Sequence, residues 1–321
     1  MQLPLKKGSY GPDVVELQNR LNKLGYGLSK DGQFGNSTEK AVLDFQRKNS
    51  LVDDGIVGQQ TWNTLVSKTD SANTGDIIVP ESGSPIHIIK ELPAGEYVKE
   101  KTVKRGFALH HTVSDGDPEM VLNNWEHDTR GAVATPFIIG REMVNGNKEH
   151  DGKIMQVFDM DFWAHHIKTD RMGFDWNHNV MTNKSYIGAE LCSWGCLKKV
   201  GTKFYDLSGK IQIPEYQVCI LKKPFRTYEF WHKFTDAQLH SLYELAKYVS
   251  KKTGIDFEDL TYEPETVDFQ WFEMDYNAMS AGYGYSNVRK LTTHTNFEYG
   301  KFDTFPQPEL IEVIKMIRGG K

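Results

Sequence analysis

The sequence predicts two domains: a small all-α domain of three helices, and a larger α/β (α+β) domain in which helices flank a mixed central sheet. Three observations carry this prediction. Residues 1–68 hold apolar side chains at helical spacing around two copies of one turn motif, residues 69–84 are mostly small and polar, and residues 85–321 alternate apolar strands with capped helices. A chain of 321 residues is long enough to bury two hydrophobic cores. We therefore expect 1–68 and 85–321 to fold separately, with 69–84 as a flexible linker.

Three helices are predicted in residues 1–68. The turn Asp31–Gly35 recurs 23 residues later as Asp54–Gly58, which indicates two similar halves. Asn36 and Glu39 have the spacing of a capping box, so we expect Asn36 to cap the second helix. The first helix is predicted to end at Gly25. Its apolar face consists of Val14, Leu17, Leu21 and Leu24.

The larger domain combines short apolar strands with two well-marked helices. One helix is predicted to begin after Thr235, where Gln238 completes a capping box, and to end at Gly254. Another begins at Pro308. The predicted strands are Phe107–His111, Pro136–Ile139, Ile154–Phe158 and Tyr186–Leu191, with a short run at His87–Leu92 and another at Val288–Thr293. This order predicts a mixed sheet packed by helices.

Composition excludes several classes of protein. The net charge of −5 gives no reason to expect nucleic acid as a partner. The sequence contains no apolar run of about 18 residues, the length needed to span a membrane. The first residues lack the apolar stretch of a secretory signal, so we expect synthesis in the cytoplasm without a signal peptide. The odd number of cysteines, at positions 192, 196 and 219, argues against a disulfide framework and favours buried thiols over a metal-binding pair.

A stretch near the C-terminus holds a candidate metal site. His294 is followed nine residues later by Asp303, with Lys301 two positions before that acid. Imidazole nitrogen and carboxylate oxygen are zinc ligands, and a catalytic zinc needs three protein ligands and one open position. We expect the third ligand from His110 or His111, which end an apolar strand; neighbours on a strand point to opposite faces, so only one can face the loop. Taken alone, the spacing of His294 and Asp303 could arise by chance.

Two further features are candidates for chemistry. Glu190 lies inside an apolar strand, where an unpaired charge would cost several kcal/mol. A metal, a nearby cation or an ordinary salt bridge would supply the missing partner. His165 and His166 follow Trp163 in a loop, and either a functional aromatic cluster or a plain surface loop fits this pattern.

Residues 1–68 resemble the helical peptidoglycan-binding domain of cell-wall hydrolases. The resemblance covers nearly the whole segment, and most matching residues are core or turn residues. It therefore implies the fold more strongly than the binding, and a bare three-helix fold without a ligand remains the alternative. The matching stretches are Lys7–Gln18, Leu24–Tyr26, Asp31–Gly35, Ala41–Gln46 and Asp54–Trp62.

Residues 105 to 318 resemble the zinc-dependent N-acetylmuramoyl-L-alanine amidases, the family of short phage amidases and peptidoglycan-recognition proteins. The motifs are F-A-L-H-H-T from 107, F-I-I-G-R from 137, D-G-K-I-M-Q from 151, W-A-H from 163, S-Y-I-G-A-E-L from 185, and the histidine, lysine and acid between 294 and 303. The resemblance implies the following roles: zinc ligands His110, His294 and Asp303, general base Glu190, oxyanion stabiliser Lys301, and substrate-binding residues His165 and Thr112.

This chain departs from the family pattern in three ways. The spacing from His294 to Asp303 is one residue shorter than in members with an aspartate ligand, and the usual proline and arginine of that loop are absent. There is also extra sequence at 196–233 and 256–287. Residues 256–276 carry eight acids and no lysine or arginine, interleaved with aromatic residues. A solvated acidic loop on the flank of the domain is favoured there over an aromatic rim for sugar rings.

The resemblance implies an enzyme that cleaves the amide bond between N-acetylmuramic acid and the L-alanine of the stem peptide. Zinc is the expected cofactor and bacterial peptidoglycan the expected partner, with the protein acting as a monomer. A phage endolysin, made in the host cytoplasm and released to the wall, is the implied biological setting. The alternatives are a non-catalytic peptidoglycan receptor and another zinc peptidase such as a D,D-carboxypeptidase.

Overall fold

The computed structural model describes residues 3–49, 51–70, 84–168 and 176–320. The chain divides into two compact units, Met1–Ile77 and Ile78–Lys321. Residues 71–83, most of the predicted linker, lie outside the described residues, so the domain bounds stay a prediction. In the part of the chain that the structure describes, no helix is both long and apolar enough to cross a bilayer.

The smaller unit consists of the three predicted helices, α1 (Pro12–Lys23), α2 (Asn36–Lys48) and α3 (Gln59–Asp70). The predicted cap of α2 is wrong. Gly35 occupies the N-cap position without a side-chain hydrogen bond, and Asn36 is already helical. Glu39 does not reach back to the cap and instead forms an ion pair with Lys7 at 2.9 Å.

A pair of buried glutamines explains the repeated turn of the smaller unit. Each glutamine nitrogen donates to the aspartate of the turn and to a threonine of the next helix, and each glutamine oxygen accepts from the glycine amide of the turn. The two equivalent sets are Gln18 with Asp31, Gly32 and Thr38, and Gln46 with Asp54, Gly55 and Thr61. Because buried side-chain amides require such partners, the primary role of the residues in the repeated turn is to stabilise the fold.

The larger unit contains the predicted mixed sheet, which confirms the fold class. Its strands are β1 (Ile88–Ile89), β2 (Gly106–His111), β3 (Phe137–Ile139), β4 (Ile154–Gln156), β5 (Tyr186–Leu191) and β11 (Leu291–Thr293). They are ordered β1-β4-β3-β5-β2-β11. Every neighbouring pair is parallel except β3 with β4. The parallel strands β5, β2 and β11 therefore end side by side at one edge.

Helices cover both faces of this sheet. They are α4 (Pro118–Glu126), α5 (Trp176–Ser185), α6 (Asp236–Thr253), α7 (Tyr276–Met279) and α8 (Pro308–Ile317). The predicted capping box of Thr235 and Gln238 and the left-handed cap at Gly254 are both present on α6. Phe107 and Leu109 of β2 belong to the large core that includes α6 and α8, whereas Ala108 lies in the core of the opposite face. The alternation along β2 thus assigns each side chain to one face.

The extra sequence forms structure that the sequence analysis did not predict. Residues 196–232 fold into a second, antiparallel sheet ordered β8-β7-β6-β10-β9. Its strands are β6 (Cys196–Val200), β7 (Lys203–Asp206), β8 (Gln212–Ile213), β9 (Val218–Phe225) and β10 (Tyr228–His232).

The acidic insert folds against the larger unit. Phe257, Trp271 and Phe272 are buried, so they are excluded as stacking platforms for sugars. The carboxylate of Asp275 pairs with the buried Arg289 at 2.9 Å, and the carboxylate of Asp259 pairs with Lys290. These two acids therefore stabilise the packing of the insert through ion pairs, whereas Asp256, Glu258, Glu265 and Asp268 are exposed as predicted.

Candidate active site

The candidate site lies where β5, β2 and β11 end. His110 is close to the end of β2, Glu190 is its register partner on β5, and His294 follows β11 directly. Register partners on neighbouring parallel strands point to the same face. The side chains of His110 and Glu190 therefore share the face of Ala108, opposite to the large core.

The structure brings together two histidines and one acid as candidate metal ligands: His110, His294 and Asp303. Nδ1 of His110 lies 3.1 Å from Nδ1 of His294. Oδ2 of Asp303 lies 3.4 Å from the first nitrogen and 2.7 Å from the second. A tetrahedral zinc with ligands at about 2.0–2.1 Å would separate them by about 3.3 Å. The donor set and its spacing therefore fit zinc.

A hydrogen-bonded relay fixes the tautomer of His110. Nε2 of His110 lies 3.0 Å from Nδ1 of His166, and Nε2 of His166 lies 3.2 Å from the carbonyl oxygen of Tyr186. Because a carbonyl only accepts, His166 donates from Nε2 and accepts at Nδ1, so His110 donates from Nε2. The lone pair of His110 Nδ1 then points to the ligand cluster. Such outer partners orient metal-binding histidines.

Both imidazoles of this relay are neutral at pH 7. Burial lowers the pKa of His110 to about 4 and holds the pKa of His166 well below its usual range. Metal binding requires neutral imidazole, so the protonation state suits a ligand.

Asp303 has the charge state that a ligand needs. Burial disfavours ionisation, but the adjacent His294, which lies within hydrogen-bonding distance, outweighs burial and holds the pKa of this carboxyl well below its usual range. The carboxylate is therefore ionised at neutral pH.

His111 lies on the other face of β2 and has a different partner. Its Nδ1 accepts a hydrogen bond of 2.8 Å from the backbone amide of Thr304, the residue after Asp303. Its ring packs edge-on against Trp231 and lies near Phe234. Burial lowers its pKa to about 4. His111 thus holds the end of the loop that carries Asp303 without joining the ligand cluster.

Glu190 is partly exposed as a residue, but its Oε2 atom is buried and makes no hydrogen bond to a described residue. Burial raises the pKa of Glu190 to about 8; the charge of Asp303 adds to this effect and that of Lys301 opposes it. A carboxyl group that titrates near neutral pH can both accept and release a proton there.

Lys301 adds a positive charge close to the same site. Its charge acts on Glu190 and on His110, lowering the pKa of each. Its backbone amide closes a turn by donating to the carbonyl of Glu298 at 3.2 Å. Among the described residues its ammonium group has no hydrogen-bond or ion-pair partner, which leaves the charge available to a ligand.

The two residues predicted to bind substrate, His165 and Thr112, have different surroundings. The ring of His165 contacts the rings of Trp163 and Trp176, with centroids 5.3 Å and 4.9 Å away. The hydroxyl of Thr112 accepts hydrogen bonds from Ser114 and from the amide of Ser193. Their substrate roles stay predictions.

Of the neighbouring histidines in that loop, His166, not His165, contacts a ligand residue. The predicted substrate role was assigned to His165 alone. Only the position of a second histidine within reach of the strand end could have suggested one.

Comparison with protein families matches residues 10–65 to the family described as "Putative peptidoglycan binding domain". The N-terminal unit belongs to this domain family. The spore cortex-lytic enzyme of Bacillus cereus is 41% identical over 76 residues, which cover 22% of this chain and 29% of that enzyme. The "Probable N-acetylmuramoyl-L-alanine amidase" of Bacillus licheniformis is 41% identical over 71 residues, covering 21% of this chain and 20% of that protein. Both similarities are confined to the peptidoglycan-binding domain.

The chain thus spans less than a third of the length of these curated relatives. Among solved structures, that of PlyL aligns with 73% of this chain and 97% of its own, at 13% identity and a TM-score of 0.37. The family match and these curated relatives concern the N-terminal unit and not the larger one.

Proposed function

We propose that the protein is a zinc-dependent N-acetylmuramoyl-L-alanine amidase that hydrolyses bacterial peptidoglycan. One observation carries the proposal: His110, His294 and Asp303 form a compact ligand set at the strand ends, with Glu190 in register beside His110. Three protein ligands leave a fourth position open, as catalytic zinc sites do. A base and a cation beside that open position distinguish a hydrolase from a site that only binds metal.

The ligand residues would hold the ion through Nδ1 of both histidines and the carboxylate of Asp303. When bound there, zinc would polarise the lactyl carbonyl and lower the pKa of the attacking water to about 7. The relay from His110 through His166 to the Tyr186 carbonyl supports this assignment, because it leaves the correct nitrogen of His110 unprotonated.

Glu190 would act as the general base and then as the general acid. Its carboxylate accepts one proton from the attacking water as the water oxygen adds to the lactyl carbonyl carbon. When the carbon–nitrogen bond breaks, the same proton passes to the nitrogen of L-alanine. The other proton of the water stays on the new carboxyl group and is released to solvent at neutral pH. The products are therefore a lactyl carboxylate and a stem peptide with a free amino terminus. The pKa of Glu190, raised to about 8 by burial, suits this two-way transfer near neutral pH.

Lys301 would stabilise the negative charge that develops on the carbonyl oxygen. A positive charge already fixed near this oxygen stabilises the transition state more than the neutral substrate. The absence of a partner for its ammonium group among the described residues supports this role.

The peptidoglycan-binding domain would hold the enzyme on its polymeric substrate and raise the local concentration of cleavable bonds. Peptidoglycan is therefore the proposed partner of both units. The monomeric state and the setting of a phage endolysin stay predictions of the resemblance.

Mass spectrometry of digested peptidoglycan tests the proposal. We expect stem peptides with a free N-terminal L-alanine, and no such product from Glu190→Gln protein at the same concentration. Loss of terminal D-alanine instead would identify a carboxypeptidase, and undigested walls with bound protein would identify a receptor.

A further inference from the structure

The tip of the β9–β10 hairpin has an unusual backbone. Arg226 and Thr227 connect the strands as a two-residue turn, with φ of 49° and 74°. Two-residue hairpin turns with positive φ at both positions favour Asn-Gly or similar pairs. Residues with larger side chains are strained in this region of backbone conformation. The contacts of the Arg226 side chain account for an arginine at this strained position.

The side chain of Arg226 is only 7% exposed and reaches the loop that carries the candidate ligands. Nη1 donates to the carbonyl of Tyr299 at 2.8 Å, and Nη2 lies 3.3 Å from the carbonyl of Thr295. The guanidinium also lies 4.6 Å from the centre of the Tyr299 ring. Nη2 pairs with Glu273 of the acidic insert at 3.1 Å. One guanidinium thus joins the hairpin, the loop and the insert.

The carbonyls of Thr295 and Tyr299 belong to the part of the loop that connects His294 to Lys301. Thr295 follows His294, and Tyr299 stands two residues before Lys301. The loop has other attachments, which include hydrogen bonds near both of its ends. Asn296 donates to the carbonyls of Trp271 and Glu273 near its start, and Thr304 donates to His111 at its end. From the hairpin, the ring centre of Tyr228 also lies 5.7 Å from that of Phe302, but among the described residues Arg226 is the hairpin residue that donates hydrogen bonds to the backbone in the middle of the loop.

We propose that Arg226 is a positioning residue for the loop from His294 to Asp303, and that the inserted hairpin sets the places of Lys301 and Asp303 through it. The inference rests on the proposed function, because it assigns Arg226 an effect on metal binding and turnover. Arginine suits the task because its planar group donates to two carbonyls at once, which lysine cannot reproduce. The unfavourable backbone at the turn tip directs this side chain to the loop.

The test uses Arg226→Gly in the full-length protein. Glycine adopts positive φ without strain, so the hairpin should form at least as well as in the wild type. Lys222→Ala is the matched control, because it removes an exposed cation from the same strand. In zinc-free protein we expect hydrogen exchange across residues 297–304 to accelerate at least tenfold in Arg226→Gly and to stay unchanged in the control. Unchanged exchange in Arg226→Gly would overturn the proposal, whether or not the protein is an amidase.

Metal affinity and kinetics give the second readout. We expect Arg226→Gly to bind zinc on the order of 10- to 100-fold more weakly, as when outer-shell partners of a metal site are lost. With saturating zinc, kcat should fall while KM stays within about twofold, and Arg226→Lys should give intermediate values because it keeps the charge but not the double contact. Wild-type zinc affinity and kcat in folded Arg226→Gly would also refute the role. If wild-type protein neither binds zinc nor cleaves peptidoglycan, the proposed function fails, and the exchange experiment still decides on Arg226.

Discussion

Replacing Glu190 by Gln should change both the stability and the activity of the protein. In the zinc-free fold, burial raises the pKa of Glu190 from 4.5 to about 8. The folded state then holds this proton more tightly than the unfolded chain between these two values. The stability contributed by the neutral carboxyl is therefore fully present below pH 4.5 and is lost as the pH rises through 8. At about 1.4 kcal/mol per pH unit, the loss amounts to up to about 5 kcal/mol.

Glutamine keeps the size and the neutral hydrogen-bonding groups of the protonated acid, but it does not titrate. Between about pH 5.5 and about pH 7.5, zinc-free wild type should lose about 3 kcal/mol of unfolding free energy relative to Glu190→Gln. Other titrating groups are common to both proteins and cancel in this difference.

Urea unfolding at several pH values, followed by tryptophan fluorescence, measures the effect. Six of the seven tryptophans lie in the larger unit, so the signal reports mainly on the unit that contains Glu190. With zinc bound, the same substitution should leave metal content unchanged and reduce cleavage by about 100- to 10,000-fold. If the unfolding free energies of wild type and Glu190→Gln changed with pH in parallel, Glu190 would not hold its proton with a raised pKa in the folded state. A metal-loaded Glu190→Gln variant as active as wild type would refute the general base.

Three further outcomes are expected. Chelator-treated protein should lose its lytic activity and regain it when zinc is added. Full activity of protein that elemental analysis shows to be metal-free would rule out a catalytic zinc. His110→Ala should abolish zinc binding. His111→Ala should keep one zinc per chain with about tenfold weaker affinity, because it loses the contact to Thr304 and the packing of a buried ring but no ligand. Metal titration of both variants compares them, and the reverse order would exchange their roles. The fragment 85–321 should cleave a small soluble muramoyl-peptide at the full-length rate but bind walls more weakly, and a folded fragment that cannot cut the small substrate would show that the domain division is wrong.

The predicted fold depended on local signals that the structure reproduces. The capping box of Thr235 and Gln238 and the glycine stop at 254 lie where expected, since these interactions join residues a few positions apart. The cap at Asn36 failed although its spacing was correct, because the repeated turn places Gly35 at the cap and Lys7 takes the carboxylate of Glu39. The antiparallel sheet of 196–232 was missed, since its short strands carry mixed polar and apolar residues without a clean alternation.

The sequence by itself determined the residue types of the candidate site and the apolar strands that deliver them. Strand periodicity also required that His110 and His111 point to opposite faces. Which of them meets His294, 184 residues away, was decided only by the parallel pairing of β2 with β5 and β11. The tertiary structure likewise selected His166 over His165 and brought Arg226 to the loop. These contacts join loop and hairpin residues that are far apart in the sequence. The periodicity of a strand or helix cannot predict which of them meet.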